Sequence, residues 1–515
     1  KCFYKIIIQE LPQKSKSNRE KNKKGIGMRN IKIIKKKPDR KTIMLVVVAL
    51  MLLTALIFAG VHFLHTGQNE EPSLDEIVTS KLNAYQTDLT DSLDSLQTSR
   101  DVAQYLLSWG KNKGISCHID SHDNVTYTLS ATSKEMKGRS PVIFLCEYDA
   151  SDLQTFLEPI SAALTIAKNT TEHGKVRIIF SPSEGIGNTG VSALPVSWFT
   201  DHTEVFCLGK SASSKISVQT GGYLKFRLSD QLHTQKASYD KAYRVYITGL
   251  PSESPDDRSG SSINPIKQLG SVLANFKSTS LLFELANFHG GKSADLTPSG
   301  ASMTVVINSA DDARFIKKMD NALEKFYDKY ADQYPDAVYA YEEVSLPKLV
   351  LAKEDAENIV SLMYTAFNGI YYKDDDGNVI ALTNIGRIST KNRKLKVEVS
   401  VMSCAQDYLD EITDAYRTIC GLCDIRFSVR TSFPVYEGGS AAEDLRTEFR
   451  EAFHAYSGDS NMKINPSAEF TPCSLLSEKN SKMPILYCSI TDKTKEKLTG
   501  SFITYLSTAP NAQKP

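Results

Sequence analysis

Three acidic residues follow two strongly apolar stretches of the chain. Glu147 and Asp149 come just after the apolar run at 141–146, and Glu184 follows a second such run at 175–181. Continuous apolar runs of this length are typical of strands that are covered on both faces, which places the carboxylates at strand ends. With water molecules, three carboxylates could hold one hard cation such as calcium or magnesium.

Histidine, a common zinc ligand, is absent from these strand ends. The nine histidines of the chain are at positions 62, 65, 118, 122, 173, 202, 233, 289 and 454. Three carboxylates alone make a poor site for two zinc ions, which favour nitrogen and sulfur ligands beside carboxylate. We therefore predict that the acidic residues line a cleft that binds no cofactor. The alternative is a rebuilt site that holds zinc or another divalent cation.

Two further motifs predict structure rather than chemistry. Cys420 and Cys423 form a C-x-x-C pair, but no second pair has the spacing of a zinc site. The pair also ends a predicted helix, whereas a redox pair begins one. We expect two packed thiols, with a disulfide as the alternative. The stretch KDDDG at 373–377 lacks the spacing of a calcium-binding loop and predicts a tight hairpin turn.

Strand and helix patterns alternate over residues 78–225, which predicts an α/β core with a largely parallel sheet. Residues 226–431 change in character, because two rounds of strand, helix and strand patterns indicate an inserted α+β domain of two similar halves. From residue 432 to 511 the pattern returns to a helix at 441–456 and a strand at 484–490, and we assign this stretch to the first domain.

The order of these segments resembles the two-zinc dipeptidases of the aminoacyl-histidine dipeptidase group, which includes peptidase D, peptidase V and carnosinase. The resemblance runs through most of residues 78–511. It implies a zinc-peptidase-like α/β domain, interrupted by a lid or dimerisation domain, and a homodimer that forms through that lid. The segments that carry it are PVIFLCEYD at 141–149, KVRIIFSPSEGIGNTGV at 175–191, Gly221-Gly222, Gly249-Leu250, Gly290-Gly291 with Pro298, and NGIYYKDDDGNVIALTNIGR at 368–387.

The metal ligands that the resemblance implies are largely missing. The histidine of the family's His-x-Asp motif aligns with Glu147, while its aspartate is retained as Asp149. The bridging aspartate falls near Thr155, where only Glu158 offers a carboxylate. In the family's Glu-Glu pair the first residue matches Glu184, and the second aligns with a glycine.

The remaining positions depart in the same way. The later acidic ligand falls at 208–210, which contains no carboxylate, and the C-terminal histidine falls at 490–498, which contains no histidine. Ser254 stands near the position of the lid histidine, and Ser299 at that of the arginine that grips a substrate carboxylate. The resemblance therefore implies the fold of a zinc dipeptidase without most of its ligands.

Charge and hydropathy divide the chain unevenly. The net charge of +1 comprises +12 in residues 1–42 and −11 in the remainder, which argues against nucleic acid as a partner. Residues 43–64 contain no charged side chain and are long enough to cross a bilayer as a helix. The lysines before this segment predict a signal anchor in the cell membrane, with residues 1–42 as a cytoplasmic tail and the rest extracytoplasmic. Residues 65–77 are then a linker.

Two alternatives concern the beginning of the chain. A cleaved signal peptide is the alternative to a signal anchor. Residue 1 is lysine, and Met28 precedes a short basic stretch, so translation is expected to start at Met28.

Together these features predict a single-pass membrane protein with an extracytoplasmic domain of metallodipeptidase-like fold. We expect its catalytic centre to be degenerate and its cleft to bind peptides or a protein partner. The alternative is an active metal-dependent dipeptidase with a remodelled site. In that alternative the resemblance implies Glu147 and Asp149 as metal ligands, Asp149 also as a catalytic residue, and Glu184 as the general base.

Overall fold

The computed structural model describes residues 72–508, except for 184–185, 187–188, 211–214 and 256–261, and also Met44, Met51 and Thr54. Within these residues no helix combines the length and the apolar character that crossing a bilayer requires. The predicted tail at 1–42 lies outside the described residues, as do all but three residues of the predicted anchor at 43–64.

Helices and strands alternate over the whole described chain. The α-helices are α1 (Leu74–Ser92), α2 (Ser99–Asn112), α3 (Leu157–Asn169), α4 (Thr189–Ala193), α5 (Pro265–Ser278), α6 (Asp312–Tyr330), α7 (Lys353–Thr365), α8 (Gln406–Leu422), α9 (Ser440–Ser457), α10 (Pro472–Lys479) and α11 (Lys495–Ser507). The strands are β1 (Ser116–Ile119), β2 (Val125–Leu129), β3 (Val142–Tyr148), β4 (Val176–Pro182), β5 (Glu204–Gly209), β6 (Ile216–Ser217), β7 (Gln219–Gln231), β8 (Thr234–Gln235), β9 (Lys241–Thr248), β10 (Phe283–Gly290), β11 (Ala301–Ile307), β12 (Val338–Val344), β13 (Val350–Leu351), β14 (Gly369–Lys373), β15 (Val379–Ser389), β16 (Lys394–Ser403), β17 (Arg426–Phe433), β18 (Tyr436–Glu437), β19 (Ser467–Phe470) and β20 (Ile485–Ser489).

The first sheet has seven strands in the order β1-β2-β4-β3-β5-β20-β6. Its centre is parallel, since β3 pairs with β4 and β5 in parallel and β20 pairs with β5 in the same sense. Strands β1, β2 and β6 run antiparallel to their neighbours. The predicted α/β core with a largely parallel sheet is therefore present.

Helices cover both faces of this sheet, which explains the continuous apolar sequence of its central strands. On one face Phe144 and Phe206 lie 5.3 Å apart between ring centroids, and both pack on Phe502 of α11. Phe449 of α9 stacks on Phe502 at 4.8 Å. On the other face Ile143 belongs to a separate buried cluster with residues of α4 and α10. Burial of this apolar area holds the C-terminal helices onto the first sheet.

The second sheet has eleven strands and follows the order β12-β9-β11-β10-β15-β16-β7-β17, with β14, β18 and β19 attached at the side. Helices α5 to α8 each bury a large side chain in its core, namely Phe276, Phe315, Met363 and Tyr416. The predicted combination of an α/β sheet with a second, α+β segment is confirmed.

Strand β7 takes part in both parts of the structure. Its first residues pair with β18 and β19, whereas Gly222 and the residues after it pair with β16. The predicted domain boundaries, after 225 and after 431, fall inside β7 and β17, which pair with each other. The described residues from 72 onward accordingly form one compact unit.

The segment predicted as a linker ends earlier than expected, because helix α1 begins at Leu74. Ser73 caps this helix by accepting a hydrogen bond from the backbone of Glu76, whose side chain accepts one from Ser73 in return. This capping box satisfies backbone donors that would otherwise be unpaired. Leu82 and Leu89 then bury one face of the helix.

Candidate functional site

The carboxyl ends of β3, β4, β5 and β20 lie along one edge of the first sheet, which we call the strand-end edge. Ligands of open α/β sheets bind outside this edge, because loops from several strands meet there. The predicted site residues follow β3 and β4, so the topology does bring their segments to the same edge. What they do there depends on their own contacts.

Asp149 is the residue that the resemblance retains, and its side chain has a local role. Its Oδ1 atom accepts hydrogen bonds from the backbone nitrogen of Ser151 at 2.9 Å and from the Ser151 hydroxyl at 2.7 Å. It thereby caps the short 3₁₀ segment at 150–156. Caps of this kind fix a loop and use one carboxylate oxygen that a metal would otherwise take.

Glu147 is half-buried and is the second-last residue of β3. It lies close enough to Tyr487 and Cys207 for its charge to act on both. Burial raises the pKa of Tyr487 well above its usual value, and the charges of Glu469 and Glu147 add to that effect. Burial likewise raises the pKa of Cys207. Glu184 lies outside the described residues, so the convergence of all three predicted carboxylates stays a prediction.

Lys210 occupies the strand-end edge at the end of β5, in the segment where the resemblance implies an acidic ligand. Its ammonium nitrogen lies 2.9 Å from Asp152 Oδ2 and 2.7 Å from Thr155 Oγ1. It also lies 4.7 Å from the centre of the Phe156 ring. Thr155 is the position near which the bridging aspartate was expected. Two segments that would each supply a carboxylate to a metal are thus joined here by a lysine ammonium.

A second lysine lies at the same edge and is buried. Lys215 precedes β6, and its carbonyl accepts a hydrogen bond from the backbone of Ser489 at the end of β20. Its side chain is only 6% exposed, and its ammonium lies 3.7 Å from Glu469 Oε1. A buried lysine of this kind requires an acidic partner, because removing an unpaired charge from water is costly.

A third lysine begins helix α11, in the stretch 490–498 where the resemblance implies a histidine. Lys495 donates to Asp492 Oδ1 at 2.7 Å and to Gln86 Oε1 at 2.7 Å. Gln86 in turn donates to Glu158 Oε1 at 3.1 Å. Glu158, the one carboxylate near the expected bridging position, is therefore held in a side-chain network with α1. The pattern of the sequence gave no signal for these three lysine contacts.

Three of the described histidines lie away from this arrangement. His173 and His202 precede β4 and β5, so they stand at the amino ends of these strands, at the opposite edge. His118 lies on the edge strand β1 and contacts Trp198. Among the described residues, no group of three or more histidine, cysteine, aspartate or glutamate side chains has the arrangement of a metal site. The donor set described at the strand-end edge does not fit a two-zinc centre.

The two lid positions implied by the resemblance come together in the structure. Ser254 and Ser299 belong to neighbouring loops, since the backbone nitrogen of Leu250 donates to the Ser299 carbonyl at 3.2 Å. The backbone nitrogen of Thr297 also donates to the carbonyl of Glu253 at 2.7 Å. The loop pair is present, with serine where the resemblance implies histidine and arginine.

The two motifs that predict structure behave as expected. Cys420 and Cys423 are free, buried thiols at the end of α8, and burial raises the pKa of Cys420 to about 12. Residues 373–377 form the turn between β14 and β15, where Gly377 has a φ of +83°. A positive φ of this size favours glycine.

Comparison with known proteins supports the resemblance. No family description matches the chain. The cytosol non-specific dipeptidase of Escherichia coli (strain K12) is 18% identical over 361 residues, which cover 62% of this chain and 73% of that protein. The crystal structure of aminoacylhistidine dipeptidase from Vibrio alginolyticus superimposes with a TM-score of 0.61 at 17% identity, over 82% of this chain and 96% of that one. The described chain therefore has the α/β fold of aminoacylhistidine dipeptidase, as its sequence pattern predicts.

Proposed function

We propose that this is a membrane-anchored, extracytoplasmic protein of metallodipeptidase fold with a degenerate catalytic centre, and that its cleft binds peptides or a protein partner. The observation that carries the proposal is the position of Lys210, whose ammonium contacts Asp152 and Thr155 at the strand-end edge. A charged lysine has three donors and no acceptor, so it cannot ligate a metal. Its positive charge also opposes the binding of a divalent cation at short range.

Lys215 and Lys495 support the same interpretation. Both side chains are largely buried, with exposed fractions of 6% and 11%. The ammonium group of each lysine forms an ion pair with a carboxylate of the protein. The strand-end edge thus contains ion pairs in place of the set of histidine and carboxylate ligands that two zinc ions need.

The anchoring part of the proposal depends on sequence alone. Residues 43–64 form an uncharged apolar stretch between a basic segment and Glu70 and Glu71. This charge arrangement favours a cytoplasmic N-terminus and a C-terminal domain outside the cell membrane. We further propose a homodimer through residues 226–431.

Metal content is the measurement that tests the proposal. The full chain is purified in a nonionic detergent without chelator and incubated with zinc, manganese or calcium. After excess metal is removed, the ions per chain are counted by mass spectrometry, and dipeptide hydrolysis is measured on the same samples. A known two-zinc dipeptidase treated identically is the control. We expect no ion above background and no hydrolysis.

One or two retained ions per chain, together with hydrolysis, would overturn the proposal. The function would then be that of an active metallodipeptidase, with a site rebuilt around Glu147, Asp149 and Glu184. In that case the Glu184→Gln variant should lose hydrolysis while retaining metal, because the general base and not a ligand has been removed.

A further inference from the structure

Four aromatic side chains outside the strand-end edge form one partly exposed surface, which we call the aromatic surface. They are Phe367, Tyr371, Tyr372 and Tyr408, from the segment after α7, from β14 and from α8. Tyr372 and Tyr408 stack with ring centroids 4.5 Å apart, and Tyr371 lies 5.2 Å from Phe367. Phe367 and Tyr372 are 39% and 41% exposed. Tyr371 and Tyr408 are half-buried and pack against the core. Aromatic side chains are usually buried, so two exposed rings that continue into such a cluster indicate a binding surface.

The segments that carry the aromatic surface are strongly acidic. Residues 367–376 and 406–417 contain seven acidic and two basic side chains. The hydroxyl of Tyr371 donates to Glu411 Oε1 at 2.7 Å, which joins the rings to this acidic set. A phenol that donates to a carboxylate gains electron density, and the negative face of its ring then attracts cations more strongly.

No lysine or arginine in the described part of the chain stacks on these four rings. Other aromatic residues of the protein are covered in this way: Arg244 lies over Tyr246 at 4.8 Å, and Arg139 lies over Tyr505 at 4.4 Å. The aromatic surface therefore offers electron-rich rings on which no cation of the described residues stacks, and its segments contain five more acidic than basic side chains.

We propose that the aromatic surface binds a lysine- or arginine-rich segment of a partner polypeptide. Cationic side chains would lie over the exposed rings, and the neighbouring carboxylates would set the preference for positive charge. An uncharged apolar partner does not fit, because it would leave the acidic residues beside the rings without counter-charge. This inference stands apart from the proposed loss of catalysis, since it involves a different surface.

Binding of a defined cationic peptide tests the inference. The full chain in nonionic detergent is titrated into fluorescein-labelled octalysine at low salt, and the dissociation constant is obtained from fluorescence anisotropy. A labelled peptide of eight alternating glycine and serine residues is the uncharged control. We expect octalysine to bind and the control peptide to show no binding, with an affinity that falls as salt rises.

Matched variants separate this surface from the overall negative charge of the protein. The variant D375K/D376K reverses two exposed charges beside the rings. D328K/D332K makes the same charge change at two exposed positions, one in the last turn of α6 and one in the turn after it. We expect D375K/D376K and Tyr372→Ser each to weaken octalysine binding by about tenfold, with D328K/D332K within about twofold of wild type. Circular dichroism checks that each variant is folded.

Three results would overturn the inference. Equal losses in the two charge-reversal variants would show a general electrostatic effect, and unchanged binding in Tyr372→Ser would exclude the rings. Sedimentation of the full chain gives the third result. A wild type that is a dimer and a Tyr372→Ser variant that is a monomer would show that a second copy of the chain covers the aromatic surface.

Discussion

The Thr155 hydroxyl and the Lys210 ammonium are 2.7 Å apart, across the edge of the sheet where a two-zinc peptidase needs carboxylates. The lysine replaces an expected acidic ligand, and the threonine stands near the expected bridging aspartate. The two departures from the family pattern are therefore a single structural change, in which an ammonium and its acceptors take the place of metal ligands. Four predictions follow from this and other contacts.

Returning carboxylates to both positions should create a metal-dependent protein. In the variant T155D/K210D, three carboxylates including that of Asp152 would lie close together, and their repulsion should lower the melting temperature without metal. Zinc or manganese should raise it again by several degrees, because a ligand that binds only the folded state stabilises it. Differential scanning fluorimetry with and without metal measures this.

The wild type and Lys210→Ala are the controls for that experiment, and neither should respond to metal. A metal-dependent rise in the wild type would mean that the native residues already form a site.

The hydrogen bond between Tyr505 and Glu204 should contribute measurably to the stability of the folded protein. The Tyr505 hydroxyl donates to Glu204 Oε2 at 2.7 Å, and burial raises the pKa of Glu204. Tyr505→Phe should cost about 1–3 kcal/mol of unfolding free energy, because the half-buried carboxylate loses a donor. The loss should be larger at pH 8 than at pH 4.5, since the donor stabilises the ionised form. Denaturant titration at both pH values measures it.

Tyr339→Phe is the matched control. The Tyr339 side chain is buried, and its hydroxyl has no hydrogen-bond partner among the described residues. Removing this hydroxyl should be neutral or stabilising. Equal losses in the two variants would contradict the role given to Glu204.

Lys267 should give the protein a pH-dependent stability above neutrality. Its ammonium donates to the carbonyls of Met363 and Ala366, both at 2.6 Å, at the end of α7. Burial lowers its pKa to about 8, below the unfolded value of 10.5. Between pH 8 and pH 10.5 the unfolded chain therefore binds more protons than the folded chain. The stability of wild type relative to Lys267→Met should rise as pH increases from 8.

The carbonyl acceptors favour the charged lysine and so limit the size of this rise. Urea denaturation of both proteins at pH 7, 8 and 9 gives the difference. A difference that stays constant or falls over this range would contradict the lowered pKa.

Replacing each of two helical glycines by alanine should change the stability of the protein in opposite directions. A Cβ atom at Gly500 of α11 would lie 2.0 Å from Tyr456 Cζ, whereas one at Gly421 of α8 would meet nothing within 4 Å. Gly500→Ala should therefore cost about 1–3 kcal/mol through overpacking. Gly421→Ala should stabilise by up to about 1 kcal/mol, because alanine favours the helix. Thermal unfolding of both variants measures the contrast, and a loss in Gly421→Ala would show an unrecognised contact.

The regular elements could be predicted because their patterns are local. The apolar run at 141–146 and the helix pattern at 441–456 both match observed elements closely. Strand β7 was not predicted, since Gly221 and Gly222 weaken the strand pattern and their tight packing against other backbone segments is visible only in the fold. Helix α11 was missed because its apolar residues alternate with small polar ones.

The candidate site could be predicted only in part, and for a different reason. A sequence shows which ligand types are missing, as at 490–498, but not which contacts replace them. The partners of Lys210 lie 55 and 58 positions earlier in the chain. Contacts at such separations depend on how strands are ordered in the sheet, and a single sequence does not record that order.

The place of β20 in the first sheet has a consequence for synthesis of the chain. This strand lies between β5 and β6, although every strand of the second sheet is translated before it. Until Ile485–Ser489 leaves the ribosome, β5 has an unpaired edge at the centre of the future sheet. Such an edge is prone to pair with other chains. A chain that terminates before residue 485 should therefore aggregate, even though the segments of its second sheet are complete.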